Sequence, residues 1–469
     1  MAKNNKDFYA TRSTAWWKVA IAMIGSCLSG VTFVSVPGMV DIAGFGYLQM
    51  VMGFFLGYLV IAFVLCPLYF KLNVVSVYEY LDKRFGMASH KTGAWFFFIS
   101  KILGASARLF LVCATLQLLL MGPIGVPFWV TVLLSVLLVW LYTVRGGVKA
   151  VIGMDIFKTL CMLAAVGLTL FLVGKEVGKL DTGYMKLFHF DDVNASQYFW
   201  KQLLGGMFTV IAMTGLDQDM MQRTLACKNV RDSQKNLMVS ILLQAVMISL
   251  FLFLGVALYQ YAGLHGITAR GDQLFPEVAW NGGLPKIVGV LFLVGLVMAG
   301  FPAGGSALTS LTTSFTIDIL GGKDQKRTLI HSGMAVLMAL AIIVFNALNN
   351  TSVIDAVYRL ASYSYGPLLG LFTFGLCCKR TVKDRWVPVV AILAPILCLV
   401  LDMNSVKWFN GYHFSYELLL MNAAFTIVGL LLISKKKYGI APIFSFCFWK
   451  GCSGNSLPGR PKALRYGQS

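Results

Sequence analysis

In a chain of 469 residues, only 13% of which are charged, few ionisable groups fall inside apolar runs, and each is a candidate for chemistry. The densest group is TGLDQDMMQRTLACK, residues 214–228, where Asp217, Gln218, Asp219, Gln222 and Arg223 interrupt a short apolar run from Leu203 to Met213. Asp155 and Lys158 stand three residues apart, on one face of a helix. Lys101 and Arg108 share another apolar run, and Asp355 and Arg359 have the i,i+4 spacing of a structural ion pair. Groups so placed pair with one another, hold a counter-charged ion or solute, or carry a proton. Arg108 has no acidic neighbour within a turn, so a guanidinium there suits a carboxylate solute held by two parallel hydrogen bonds. The signatures of an enzyme are missing. His90, His189, His265, His331 and His413 lie apart along the chain, and no HExxH, GxSxG, Walker A or CxxC pattern occurs. The ten cysteines sit mostly in or beside apolar runs, as small core residues do.

The elements that carry these groups are membrane spans. Hydrophobic residues make up 58% of the chain and the mean hydropathy is +0.74, which describes a polytopic helical membrane protein. Twelve spans are expected, centred near residues 27, 58, 106, 134, 162, 209, 248, 299, 338, 365, 394 and 424. The connectors alternate in charge: one set holds twenty-four lysines and arginines, the other only seven, several of them balanced by acids. The positive-inside rule then puts both termini in the cytoplasm, in a plasma (inner) membrane. The net charge of +19 is therefore topological, and nucleic acid is not an expected partner. The polar start MAKNNKDFYATR predicts no cleaved signal peptide. The connector at about 174–200 suggests a surface helix at SQYFWKQL, and residues 437–469 form a cytoplasmic tail.

Span six is too short to cross as an ordinary helix, which takes ~20 apolar residues. Its outer half reads LLGGMFTVIAM and its inner half begins near Thr214-Gly215. Unwound backbone at that depth is tolerated only where it is buried in protein or lines a cavity. Span one holds a matching weak point, Gly25-Ser26-Cys27-Leu28-Ser29-Gly30. Small residues there also suit close helix packing, but the two interruptions lie five spans apart. A five-span repeat is odd-numbered, so its two copies must lie inverted, with the broken helices exposing carbonyls and N–H groups at mid-membrane for ion and solute. The expected fold class is an all-α polytopic membrane protein of two inverted five-helix repeats with broken helices one and six, plus two accessory helices. The core spans 1–385 (first repeat about 14–174, second about 198–380), and the accessory helices occupy 386–436.

GLDQDMMQRTLACK resembles the QR-L-A-K signature of the sodium/solute symporter family, which includes sodium–glucose, proline and sialic-acid symporters. WW…LSGVTFVSVPG, YEYLDKRFG, RGGVKAVIGMD, SALTSLTTSFTIDI and YGPLLGLFTFGL follow in the family's order, so the resemblance covers residues 7–385. Members usually carry one further helix before the motif beginning at Asp7; none stands there in this sequence. The resemblance implies sodium-coupled symport by alternating access and a sodium ion held by carbonyls of span one, here Gly25 and Leu28. The partnering hydroxyls of span eight fall on Pro302 and Ala303, which offer no side-chain oxygen. A second family sodium site is present as Asp155 and Ser306. Lys158 stands where the family commonly has Gln. An ammonium there would pair with Asp155 and take the ion's place, load and release a proton, or reach inward as an inert pair. Sodium coupling in altered form, proton-coupled or ion-independent transport, and lost coupling all remain open at this point.

Ser29 and Thr32 match positions that bind solute in family members handling acids. Thr214 beside the span-six break, Arg108 and Gln49 in span two complete the solute-binding candidates. Cys27, Met213 and Thr214 replace the aromatic and amide groups of the sugar symporters, which favours a small organic anion or amino acid over a hexose. Gln222 and Arg223 are expected to organise the inner gate, with the charges of 217–223 lying inward of the solute pocket. A channel or solute sensor is the rival class. The expected partners are a small-molecule solute and the lipid bilayer; the sequence leaves oligomeric state open.

Overall fold

The computed structural model describes residues 15–27, 29–72, 76–320, 327–348 and 352–438. All twelve expected span centres fall within helices. Seven helical stretches are long and apolar enough to cross a bilayer, and Phe128–Val144 and Leu418–Leu432 are shorter apolar helices.

Span one is broken. α1 (Trp16–Cys27) and α2 (Gly30–Gly38) are joined through Ser29, whose backbone is extended (φ −105°, ψ 172°); Leu28 lies outside the described residues. A single turn, α3 (Val40–Ala43), leads to span two, α4 (Tyr47–Val60) and α5 (Cys66–Leu72), with a π-helical turn over Ile61–Leu65 between them. α6 (Glu79–Arg84) is a short connector and α7 (Met87–Leu116) is span three. Spans four and five both lie in α8 (Phe128–Val177), which stays helical through the connector expected at Arg145 and Lys149. The sequence between them holds no proline, and a glycine inside a helix costs only ~1 kcal/mol, so nothing local ends the helix. Both halves pack on span eight: Val139 lies against Gly304, and Ala165 against Gly295.

The second repeat opens with α9 (Phe199–Val210), a π-helical turn over Ile211–Gly215, and α10 (Gln218–Thr224). The stretch expected as a separate surface helix is instead the start of α9, so Trp200 and Lys201 belong to span six itself. α11 (Val230–Leu264) is span seven, α12 (Leu274–Asn281) a connector helix, α13 (Lys286–Ser314) span eight, α14 (Arg327–Leu348) span nine and α15 (Val353–Cys377) span ten. The accessory helices are α16 (Val387–Trp408) and α17 (Leu418–Leu432). Two short strands that the sequence did not announce, β1 (Arg380–Val382) and β2 (Ser434–Tyr438), pair antiparallel. The lysines of 435–437, expected at the edge of a loose tail, thus belong to a strand; residues 439–469 lie outside the described residues.

Close backbone contact positions the broken span six. Gly53 and Gly57 on α4 face α9: a Cβ on Gly53 would run into the Leu203 carbonyl, and one on Gly57 would lie 2.5 Å from the Met207 carbonyl. Gly206 meets the Met50 carbonyl in the same way. Small residues serve this purpose where lipid removes the hydrophobic drive between helices. The second half of span one is held by rings: Phe33 lies 5.4 Å from Phe292, 5.2 Å from Phe275 and 6.1 Å from Phe251. The accessory hairpin is bolted to the core. Asn422 donates to the carbonyls of Ser362 (3.0 Å) and Tyr363 (2.9 Å), and Tyr416 donates to Asp355 (2.5 Å). Lys201 donates to the carbonyls of Asn194 (3.1 Å) and His413 (3.0 Å).

Gly53→Val and Gly206→Val should each force α4 and α9 apart and lower the melting temperature of the purified protein, an overpacking penalty of about 1–3 kcal/mol. Gly104→Ala, with nothing within 4 Å of the added carbon, should leave it unchanged in the same thermal-shift measurement.

Candidate solute site and gate

The break in span six falls at Leu216–Asp217, two to three residues later than the sequence suggested, because the π-helical turn carries the helix through Gly215. Its freed groups are not left open to an ion or solute. Tyr69 donates to the Gly215 carbonyl (3.0 Å) and Tyr78 to the Leu216 carbonyl (3.0 Å). Asp217 caps α10, accepting from the N–H groups of Asp219 (2.9 Å) and Met220 (3.2 Å). The same carboxylate accepts from Lys101 (3.2 Å) and from the Tyr365 hydroxyl (2.9 Å).

Beside it, Asp219 accepts from Lys101 (3.2 Å) and from Ser306 (2.9 Å) and lies 3.5 Å from Arg223. Arg223 in turn donates to the Ser306 hydroxyl (2.7 Å). Two carboxylates and two cations therefore meet where spans three, six, eight and ten converge. Lys101, one of the lone intramembrane charges of the sequence, is the cation common to both acids. Gln222 lies half-buried on α10 beside this cluster.

Four of the five expected solute-binding residues come together. Ser29, Thr32, Arg108 and Thr214 line one cavity of about 680 Å³ with Tyr47 and Tyr358, whose hydroxyls bond at 2.7 Å. A second cavity of about 390 Å³ is lined by Lys101, Arg108, Asp217 and Tyr365. Arg108, Met213, Met220 and Val357 border both. Asp217 faces the smaller cavity, where it reaches both Lys101 and the α10 N-terminus, and does not line the larger one that holds Ser29, Thr32 and Thr214. No hydrogen bond or ion pair to Arg108 occurs among the described residues. Thr32 accepts from the Ser29 N–H (3.4 Å), tying the two residues across the span-one break.

Two expectations fail. Gln49 is fully buried away from the cavity. It donates to the carbonyls of Gly46 (3.2 Å) and Gln197 (3.1 Å) and accepts from the His189 N–H (3.1 Å), so it fastens the connector before span six rather than touching solute. Asp355 and Arg359 form no pair: Tyr416 takes the carboxylate and Arg359 is exposed. The cavity also contains residues the sequence reading missed, Thr209 and Gln244. Both are uncharged, so a search for intramembrane charge passes over them; a lone amide in the run VSILLQAVMIS was the available signal.

The expected ion position is only partly described. Lys158 is fully buried and its ammonium donates to the Gly25 carbonyl, the oxygen expected to hold sodium. Pro302 and Ala303 lie within α13 and bring no side-chain oxygen. Ser306, assigned by resemblance to a second sodium position, spends its hydroxyl on Asp219 and Arg223. Leu28 and the side chain of Asp155 lie outside the described residues. Among the described residues, the Gly25 carbonyl is thus met by the Lys158 ammonium.

Broken helices in two inverted repeats, meeting around a shared cavity, define the class of inverted-repeat, multi-span membrane proteins. The sequence model of the sodium:solute symporter family matches residues 8–384, and the chain belongs to that family. It is 26% identical over 466 residues to the sodium/sialic acid symporter NanT of Aliivibrio fischeri, covering 91% of this chain and 86% of that one. It is 25% identical over 398 residues to the sodium-coupled monocarboxylate transporter 1 of Mus musculus, covering 80% of this chain and 64% of that protein, less than two thirds of its length. Among solved structures, the substrate-bound, outward-open state of a Na+-coupled sialic acid symporter matches with a TM-score of 0.74 at 19% identity, over 92% of this chain and 93% of that one. A nucleobase-cation-symport-1 family transporter matches with a TM-score of 0.57 at 14% identity, over 90% of this chain and 92% of that one.

Lys101→Met should destabilise strongly, because two carboxylates then lose their shared cation in a dry site, an effect of about 3–5 kcal/mol. Asp217→Asn in the same molecule should recover part of that loss, a coupling read by thermal shift of the two single variants and the double.

Proposed function

We propose that this protein is a secondary active transporter, not an enzyme, that carries a small organic anion by sodium-coupled symport and alternating access. The observation that carries the reading is Arg108, a guanidinium without a partner among the described residues, on the wall between two cavities. In such a place it favours a carboxylate, bound in a fork geometry. Ser29 and Thr32 from the span-one break and Thr214 from span six would orient the remainder of the solute. Tyr47 and Tyr358 would cover the solute on one side. On the other, the Lys101–Asp217–Tyr365 group and the Asp219–Arg223–Ser306 group would form the gate, with Gln222 beside them. We take the gate to face the cytoplasm, with both termini on that side of a plasma (inner) membrane, because the lysine- and arginine-rich connectors lie on that side of the span order. The repeats would run from about 14–174 and 198–380, with accessory helices over 386–436.

Sodium, as co-transported substrate, would act through Asp155 and Ser306. Ser306 also holds Asp219 and Arg223, so an ion that draws its oxygen away would loosen the gate. A second reading is favoured by one contact, that of the Lys158 ammonium with the Gly25 carbonyl. On that reading the lysine replaces the ion outright and transport is proton-coupled or ion-independent. A channel or solute sensor would show ohmic conductance or no saturable uptake.

In proteoliposomes, uptake of a radiolabelled carboxylate should be saturable and should fall at least tenfold when choline replaces sodium; uptake that ignores sodium and follows a proton gradient would select the second reading. Arg108→Gln should lower the affinity for carboxylates by about tenfold to a hundredfold, the worth of a charge-assisted hydrogen bond, while leaving the melting temperature unchanged.

A further inference from the structure

The larger cavity has polar groups that neither the ion nor a plain carboxylate would use. Threonines inside helices of this protein habitually donate to the carbonyl four residues back: Thr115 to Leu111 (2.9 Å), Thr169 to Ala165 (2.7 Å), Thr312 to Leu308 (2.7 Å) and Thr426 to Asn422 (2.9 Å). Thr209 and Thr214 do not. Both are buried, both line the cavity, and neither hydroxyl has a partner among the described residues. Gln244 of span seven lines the same cavity, and its buried side-chain oxygen is without a hydrogen bond. Its amide as a whole has no partner among the described residues, so it offers a donor and an acceptor whichever way it is turned. An amide oxygen withdrawn from water and left unpaired costs free energy unless a ligand or water completes it. The neighbouring Val31, Phe54, Val210 and Ile354 cannot do so.

We infer that Gln244, with Thr209, forms a second polar pole of the solute pocket, and that the solute is a hydroxylated carboxylate rather than a simple fatty acid. This rests on the carboxylate reading of Arg108 and deepens it. Arg108 fixes the acid end, while the amide and hydroxyls read hydroxyl groups along the carbon chain. Discrimination follows from asymmetry: a solute lacking the hydroxyls leaves the buried amide unpaired, and a site built to hydrogen-bond a hydroxyl rejects the analogue without it far more strongly than an apolar pocket rejects an extra group.

The test uses two pairs of probes that differ in hydroxyl content, propionate with lactate and hexanoate with gluconate, titrated against the purified full chain by thermal shift. In the wild type the hydroxylated member of at least one pair should bind about tenfold or more tightly than its partner. Gln244→Leu should shrink that ratio to about threefold or less without weakening the binding of the deoxygenated acid, and Thr209→Val, which keeps the shape of the side chain, should reduce it in the same direction. Wild-type protein that binds both members of each pair equally, or shows no shift with any probe, overturns the inference, as do two variants that retain the wild-type ratio. If Gln244→Leu does not fold, the wild-type ratio and Thr209→Val decide. Hexanamide and gluconamide, run alongside, separate this inference from the reading beneath it. Carboxamides that bind as well as the acids would remove the anion, while their own hydroxyl preference would still report on Gln244.

Discussion

A helix cannot be unwound inside hydrocarbon unless every group it frees finds a partner, since each orphan costs several kcal/mol. The break at Leu216–Asp217 obeys that constraint with side chains from span two, from the connector that follows it and from span six itself. Tyr69 and Tyr78 take the two carbonyls, and Asp217 closes the N-terminus of α10. That solution creates the next demand, because a buried carboxylate needs its own counter-charge, and Lys101 and Tyr365 supply it. Spans three and ten are thereby committed to the break in span six. The Asp219–Ser306–Arg223 contacts extend the commitment to span eight.

The same economy appears at the other break. Gly25 presents a carbonyl that in the family's arrangement holds a sodium ion, and here an ammonium fills it from the neighbouring span. Pro302 and Ala303 of span eight carry no side-chain oxygen. Ser306 ties span eight to the broken span six, its hydroxyl sitting between the Asp219 carboxylate and the Arg223 guanidinium. The larger cavity lies between these two networks, so a solute there would touch the break in each repeat at once.

The architecture was legible because it is written in long-range patterns: apolar runs of spanning length, alternating connector charge and two interruptions five spans apart. Ser29, Thr32, Arg108 and Thr214 could be grouped in advance since each stands beside a break or is a charge in an apolar run. Gln49 misled because an amide in a span reads the same whether it meets a solute or, as here, three backbone groups. Asp355 and Arg359 had the right helical spacing, but spacing along one helix says nothing of Tyr416, sixty-one residues away, which claims the carboxylate. The fate of the freed carbonyls was illegible for the same reason: Tyr69 and Tyr78 lie well over a hundred residues before the groups they satisfy. β2 escaped notice because three successive lysines mark a membrane boundary more loudly than a strand.

The accessory hairpin is fastened to span ten at three heights, through Tyr416 and Asp355, through Asn422 and the carbonyls of Ser362 and Tyr363, and through the pairing of β1 with β2. Three attachment points along a common axis remove hinge and twist together. Spans ten and twelve must therefore tilt as a single plank, and any rocking of the core has to drag the added weight with it. The hairpin thus adds its mass to span ten without lending a residue to either cavity described above.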